Sequence, residues 1–435
     1  EAALLKAHLS RRGTLSPEWE EVISTLETRV PPEEVYEEEE KTQHNIRALV
    51  NVIKRYIPPE LRSLVHAGAT SADILDTAQA LRIRDAVRLV ILPQLTEVLS
   101  LLADFTEREA STPQIGRTHG QHAVPITLGF WMAEFASRLG KSALEIERLS
   151  RNLRGKLSGA VGAYNALSLM VEDPIRFEQT FLSYLGIEPS EYSHQLVEPE
   201  YFLRLLLEVN IAFGILANLA DDLRNLQRSE IEEVRELFSQ GQVGSSTMPQ
   251  KRNPWNSEHV KSLWKTFSPR IYTFFSDQIS EHQRDLTNSA SSRFIGEYLA
   301  GFTAALCRMR KVLQTLQVDR SSLERNLLKG GDAVLAEAAY ILLAEGGEAD
   351  AHEIIRLCTL ESEEKQKSLR EVLQAKALLW NNLKSQIEKT LGIEPEKFFS
   401  SPELYRGKAV EKALKIAEIT RQRIRELKNI SDAHQ

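Results

Sequence analysis

The chain has 435 residues, of which 42% are hydrophobic and 26% charged, and its net charge is −7. A chain of this size can bury a large apolar core in one or more well-folded domains. The charge balance lacks the basic surplus of a nucleic-acid binder and argues against a membrane-surface role.

The opening residues Glu1-Ala2-Ala3-Leu4-Leu5-Lys6 read as a helix already under way, so the natural start is expected upstream; no signal or transit sequence is legible. The portion to about Asp73 is acidic, with Glu37 to Glu40 preceding Lys41-Thr42-Gln43-His44-Asn45, and predicts a small N-terminal helical domain over 1–73. Over 74–318 apolar residues recur every three or four positions, as at Leu81, Ala86, Leu89 and Val90, or at Phe130, Ala133, Phe135 and Leu139. Glycine and proline gather at the breaks, namely Thr112-Pro113, Gly116 to Pro125, Pro174, Pro189, Pro199 and Gly241 to Pro254. Alternating strand-like runs are nearly absent, so the expected class is all-α. Helices of roughly 25 to 35 residues exceed the usual three turns and predict a bundle that extends beyond one chain. The most apolar stretch, Leu203 to Leu223, carries Arg204, Glu208, Asn210, Asn218, Asp221 and Asp222, which suits a helix among helices rather than a lipid-facing span. Shorter amphipathic segments with turns at Gly330-Gly331, Gly346-Gly347 and Pro402 predict a C-terminal helical domain over 319–435. Cys307 and Cys358 both lie in apolar helical patterns, so neither a disulfide framework nor a thiolate metal site is expected, and a cytosolic setting fits best.

Four polar segments interrupt the apolar helices: Thr42 to Asn45, His66 to Asp73, Gly116 to His122, and Gly244-Ser245-Ser246-Thr247-Met248-Pro249-Gln250-Lys251-Arg252-Asn253-Pro254. Thr70-Ser71-Ala72-Asp73 on its own is an ordinary helix-start box. His119 and His122 have no Cys, Asp or Glu at ligand spacing, so hydrogen bonding outweighs metal binding. The last segment places a glycine-flanked hydroxyl run ahead of a lysine and an asparagine, with Pro254 set to begin a helix, and reads as a mobile catalytic loop.

That loop resembles the signature of the fumarase/aspartase superfamily, whose members cleave C–N or C–O bonds by β-elimination and mostly release fumarate. His66 to Thr77, Gly116 to Pro125, Lys156 to Tyr164, Leu223 to Phe238 and Gln283 to Arg293 are similar to its adenylosuccinate lyase branch, with a weaker echo at Tyr405 to Ala409. The resemblance implies an all-α fold with a long helical bundle and small terminal domains. It also implies a homotetramer in which each site draws on three subunits. The implied substrate is a small succinyl-nucleotide, adenylosuccinate or the succinyl-carboxamide ribotide of the same route, with no metal or organic cofactor, no nucleic acid and no membrane.

By the same resemblance Ser245 is the base, Lys251 and Asn253 bind the carboxylate on which charge develops, His119 is the general acid, and Glu258 orients it. His44 lies near the leaving group, although the family usually has Asp where Asn45 follows it. Thr70, Ser71, Asp73, Thr118, Gln195, Ser246 and Met248 are implied as further substrate contacts. Arg284, Ser289 and Arg293, spaced by five and four, are implied to hold the nucleotide phosphate. The chain departs from the family pattern at Gln250 and at Glu198-Pro199-Glu200. A carboxymuconate cycloisomerase-like enzyme and a non-catalytic structural member are the alternative readings.

Overall fold

The structure, a computed structural model, describes residues 1–237, 247–280, 282, 284 and 286–432, with the side chains of 431 and 432 excepted. Four long helices carry the middle of the chain: Ser71–Arg108, Leu128–Arg151, Glu200–Leu226 and Ile295–Thr315. The first is continuous over 38 residues and contains a π-turn at Val87–Ile91. Pro93 lies just beyond that turn; it has no N–H to donate and its ring crowds the carbonyl four residues earlier, so a local widening lets the helix continue.

In Glu200–Leu226 the residues Leu205, Leu206, Val209, Ala212, Phe213, Leu216, Leu219, Ala220 and Leu223 are all buried, a stripe at three- and four-residue spacing. Each large aliphatic side chain removed from water in such a stripe contributes about 1.5–3 kcal/mol before entropy is counted. The opposite face is not covered, with Ile211 at 53% exposure, and Leu89 on the first long helix reaches 71%. By length and hydropathy these two helices could cross a membrane, a test that bundle helices also pass.

The contacts divide the chain into two units, and four of the five boundaries between them fall inside the long helices. One comprises Glu1–Pro93, Glu145–Ile211 and Phe267–Gly301; the other comprises Gln94–Leu144, Ala212–Thr266 and Phe302–Gln435. In the first unit the helix Asn45–Tyr56 sets Ile46, Val50 and Ile53 into one cluster with Leu5, Leu9, Ile23, Leu61 and Leu64. In the second, Leu342, Leu343, Ile355, Leu373, Leu383, Ile387, Phe398 and Phe399 belong to another.

Six short strands form three two-stranded sheets among the described residues: β1 (Pro113–Thr118) with β2 (Gln121–Thr127), β3 (Arg154–Gly155) with β4 (Glu188–Pro189), and β5 (Val234–Arg235) with β6 (Gln317–Val318). The first is a true hairpin in a stretch the sequence presents only as a polar break. Thr118 pairs with Gln121, so His119 and Gly120 form a two-residue loop, and both have left-handed backbones, φ 53° and 74°. That is the turn whose twist matches paired strands, and Gly120 meets its demand without cost. The register slips between Ile115 and Arg117, where a Cβ on Gly116 would stand 2.7 Å from the Val124 carbonyl oxygen.

Candidate active site

The first unit holds His44, Thr70, Ser71, Asp73, Gln195, Arg284, Ser289 and Arg293. His44 is exposed at the start of helix Asn45–Tyr56, where its Nδ1 accepts from the Arg47 backbone N–H at 3.2 Å. With Nδ1 accepting, the neutral ring carries its proton on Nε2.

Thr70 and Ser71 are half-buried at the head of the 38-residue helix, and Asp73 fixes them there. Oδ2 of Asp73 accepts from the Thr70 N–H at 2.8 Å, while Oδ1 accepts from the Lys156 ammonium and from the Ser158 N–H at 3.2 Å. The Gly159 N–H also reaches both oxygens, at 3.3 and 3.2 Å. Asp73 and Lys156 are completely buried. Every lone pair of this carboxylate faces a protein donor within the chain, so Asp73 holds the Thr70 end of the helix in place. A neighbouring buried carboxylate, Glu178, accepts from the Leu157 N–H at 2.5 Å and the Tyr164 hydroxyl at 2.7 Å. Burial pushes Glu178 above the usual carboxylate range, and burial followed by the Glu178 contact raises the Tyr164 hydroxyl as well. The segment Lys156 to Tyr164 is thus pinned from two sides.

His66, at φ 62°, places its Nδ1 2.8 Å from Oε1 of Glu1, and Nε2 of His8 donates to the Ala67 carbonyl at 2.9 Å. Further along, the helix presents Asp76, whose Oδ2 accepts from the Val197 N–H at 2.9 Å, two residues after Gln195. Burial raises the Asp76 carboxyl to about 6, with the Val197 bond opposing the shift. Asp76 lines a small cavity with Asp277, Arg284, Asn288 and Ser292. Arg284 donates to the carbonyls of Gln278 and Asp277 at 3.1 and 3.0 Å, and its own backbone is left-handed at φ 58°. Ser289 and Arg293 are exposed. The three residues expected to grip one phosphate therefore differ in setting: Arg284 is engaged with main chain, whereas Ser289 and Arg293 face outward.

The second unit holds Thr118, His119, Met248, Lys251, Asn253 and Glu258, while Ser245 and Ser246 lie outside the described residues. The hairpin turn lifts His119 to its tip, exposed, with Thr118 exposed beside it. Beneath the tip, Arg117 makes a fork onto the fully buried Glu233: its two terminal nitrogens donate to Oε1 at 2.5 Å and Oε2 at 3.2 Å. Gln114 Nε2 donates to Oε2 at 2.7 Å and Asn326 Nδ2 to Oε1 at 2.9 Å.

Three residues on, buried Glu236 caps the helix Trp255–Phe267. Its Oε2 accepts from the Asn256 N–H at 3.2 Å and the Asn256 side-chain amide at 2.7 Å, and its Oε1 from the Ser257 N–H at 2.8 Å and hydroxyl at 2.6 Å. A carboxylate on otherwise unsatisfied first-turn amides is favoured both by the hydrogen bonds and by the helix dipole. Gln227 completes the arrangement, accepting from the Glu236 N–H at 2.9 Å and donating to the Arg252 carbonyl at 3.3 Å. Lys251 and Met248 are exposed and Asn253 is half-buried. Glu258 is on the first turn of the capped helix, as its spacing from Pro254 indicates, but within one chain it faces Arg224 at 3.7 Å. The expected pairing with His119 is therefore not made inside a single chain.

Nothing in the local sequence singles out Lys156, Glu178, Glu233 or Glu236. The signal for the last two was hidden: Glu233 and Glu236 lie in the charged run Glu230-Ile231-Glu232-Glu233-Val234-Arg235-Glu236, which reads as a solvated surface. No group of three or more His, Cys, Asp or Glu side chains able to hold a metal occurs among the described residues.

Residues 15–265 match a family model described as lyase, and residues 280–398 match one described as adenylosuccinate lyase C-terminal. The adenylosuccinate lyase of Pyrococcus horikoshii is 35% identical over 96% of this chain and 91% of its own length. That of Archaeoglobus fulgidus is 33% identical over 86% and 83%. Among solved structures, the 3-carboxy-cis,cis-muconate lactonizing enzyme of Pseudomonas putida superposes with a TM-score of 0.80 at 24% identity, covering 97% of this chain and 93% of that one. A fumarate lyase from Mesorhizobium sp. BNC1 gives 0.80 at 23%, covering 96% and 93%. Fold and sequence together define a fumarate-releasing C–N lyase with the helical fumarase/aspartase architecture. Within that class the chain belongs to the adenylosuccinate lyase family.

Proposed function

We propose that this enzyme cleaves adenylosuccinate to AMP and fumarate in the cytosol, and the matching succinyl-carboxamide ribotide to its carboxamide and fumarate. A base removes the proton from the carbon next to the scissile C–N bond, and charge builds on the adjacent carboxylate. The C–N electron pair then leaves with nitrogen, which takes a proton from an acid. Ser245 is assigned the base and His119 the acid, and Lys251 and Asn253 the carboxylate whose charge grows in the transition state.

The observation that carries this reading is the presentation of His119: a two-residue turn lifts an imidazole clear of the hairpin, above a clamped arginine. Thr70, Ser71, Thr118, Gln195, Ser246 and Met248 are assigned to the succinyl and base portions, His44 to the leaving-group side, and Ser289 and Arg293 with Arg284 to the phosphate. Arg284 must release its carbonyl bonds to serve there. No organic cofactor or metal is invoked, because lysine, asparagine and backbone amides can supply the charge stabilisation.

We assign a homotetramer with composite sites. The uncovered apolar residues Leu89 and Ile211 on long helices support assembly, since such faces seldom stay in water. Glu258 would then reach the His119 of another subunit. Incubating the purified protein with adenylosuccinate and following the ultraviolet spectrum tests the reaction; absence of AMP and fumarate would remove it.

A further inference from the structure

We propose that Glu233 and Glu236 are positioning residues: a two-carboxylate brace on either side of β5 that sets the His119 hairpin and the Lys251–Asn253 segment in fixed relation. The inference rests on the reading of His119 as the acid, and goes beyond it by naming what aims it.

The geometry is specific. Each Glu233 oxygen takes two donors, one from Arg117 and one from Gln114 or Asn326, so none of the four sites on this carboxylate is left open. Arg117 is two residues from His119 on the strand that ends in the turn. A guanidinium fork on a carboxylate fixes orientation as well as distance, which a single hydrogen bond does not. At the other end of β5, Glu236 holds the Asn256 and Ser257 amides directly behind Asn253 and Pro254, and Gln227 ties the Glu236 N–H to the Arg252 carbonyl. β5 is itself anchored by pairing Val234 with Val318 and Arg235 with Gln317. Two catalytic arms far apart in sequence are thus referred to one four-residue segment. An amide in place of either glutamate would turn one oxygen into an N–H₂ group facing two donors, so even this nearly isosteric change releases one arm.

Displacement of a catalytic group by about an ångström costs on the order of a hundredfold in rate without changing how substrate is held. Glu233→Gln should therefore lower kcat by about tenfold to a hundredfold while KM for adenylosuccinate changes less than about twofold. It should also flatten the alkaline fall of kcat, because a misplaced acid no longer decides the rate as its proton is lost. Arg117→Lys, which keeps the cation but loses the fork, should give the same signature, and the double variant should be no worse than either single. Glu236→Gln should lower kcat while keeping the alkaline fall.

The experiment measures kcat, KM and the pH profile of the purified oligomer for wild type, His119→Gln and these variants, with thermal unfolding alongside. If Glu233→Gln fails to fold, Arg117→Lys carries the test. Wild-type activity lost in His119→Gln, together with unchanged kcat or a pH-independent loss in Glu233→Gln and Arg117→Lys, would overturn the brace alone. Full activity in His119→Gln would overturn both the brace and the reading it rests on.

Discussion

Replacing Asp73 by asparagine isolates the most heavily bonded buried charge in the first unit. The carboxylate and the Lys156 ammonium have no solvent exposure, and the same carboxylate collects backbone N–H groups from Thr70, Ser158 and Gly159. Whichever way the new amide is turned, its N–H₂ faces donors, and the ammonium loses its counter-charge. Breaking a buried pair by removing one partner costs about 3–5 kcal/mol, against a total stability of about 5–15 kcal/mol. The variant should thus lose about a fifth of its stability or more, read as a lower urea midpoint at fixed protein concentration. Removing the stranded charge as well, in Asp73→Asn with Lys156→Met, should recover at least about 1 kcal/mol relative to Asp73→Asn, because partners in one network do not add independently. Midpoint losses that add to within about 0.5 kcal/mol would refute the reasoning.

Asp76 supplies a second test with the opposite sign. Its folded pKa of about 6 lies above the ordinary aspartate value of 3.8, so the folded state holds the proton more tightly and stability falls as pH rises through that window. Asp76→Asn should raise the urea midpoint more at pH 8 than at pH 5; a gain that is the same at both would contradict the assignment. For the phosphate grip, Arg293→Ala should weaken AMP binding by about tenfold to a hundredfold, the worth of one charge-assisted contact, and leave fumarate inhibition nearly unchanged. Equal losses for both ligands, measured by inhibition constants, would remove Arg293 from that role. Ser245→Ala and His119→Gln should each cut turnover by about a hundredfold or more with the oligomer intact by light scattering, and normal turnover in either would release that residue.

The long helices were legible because their three- and four-residue apolar spacing is the signature of burial on one face. Glu200–Leu226 shows the stripe directly, and its polar residues mark positions off it. The hairpin was not legible. Its strands are short, Pro113 and Pro125 obscure the alternation, and the diagnostic His119-Gly120 pair lacks the asparagine or aspartate that usually announces such a turn. The glutamates beneath it were hidden for a related reason: burying Glu233 depends on Arg117, Gln114 and Asn326, which stand 116, 119 and 93 positions away in the chain. Local pattern cannot show that a charge is neutralised from such distances. Asp73 illustrates the converse, since its spacing from Thr70 correctly marked a helix start, yet the buried lysine that occupies it comes from Lys156, 83 residues on.

The central claim is that one catalytic site unites a histidine at a hairpin tip with a seryl loop from another copy of the chain. Mixing inactive His119→Gln with inactive Ser245→Ala and reassembling the subunits tests it directly. If each group is supplied by a different chain, random reassortment leaves both intact in about a quarter of the sites, and fumarate release from adenylosuccinate should return to that fraction of wild type. A mixture as inert as its parents, despite proven exchange of subunits, would contradict the account.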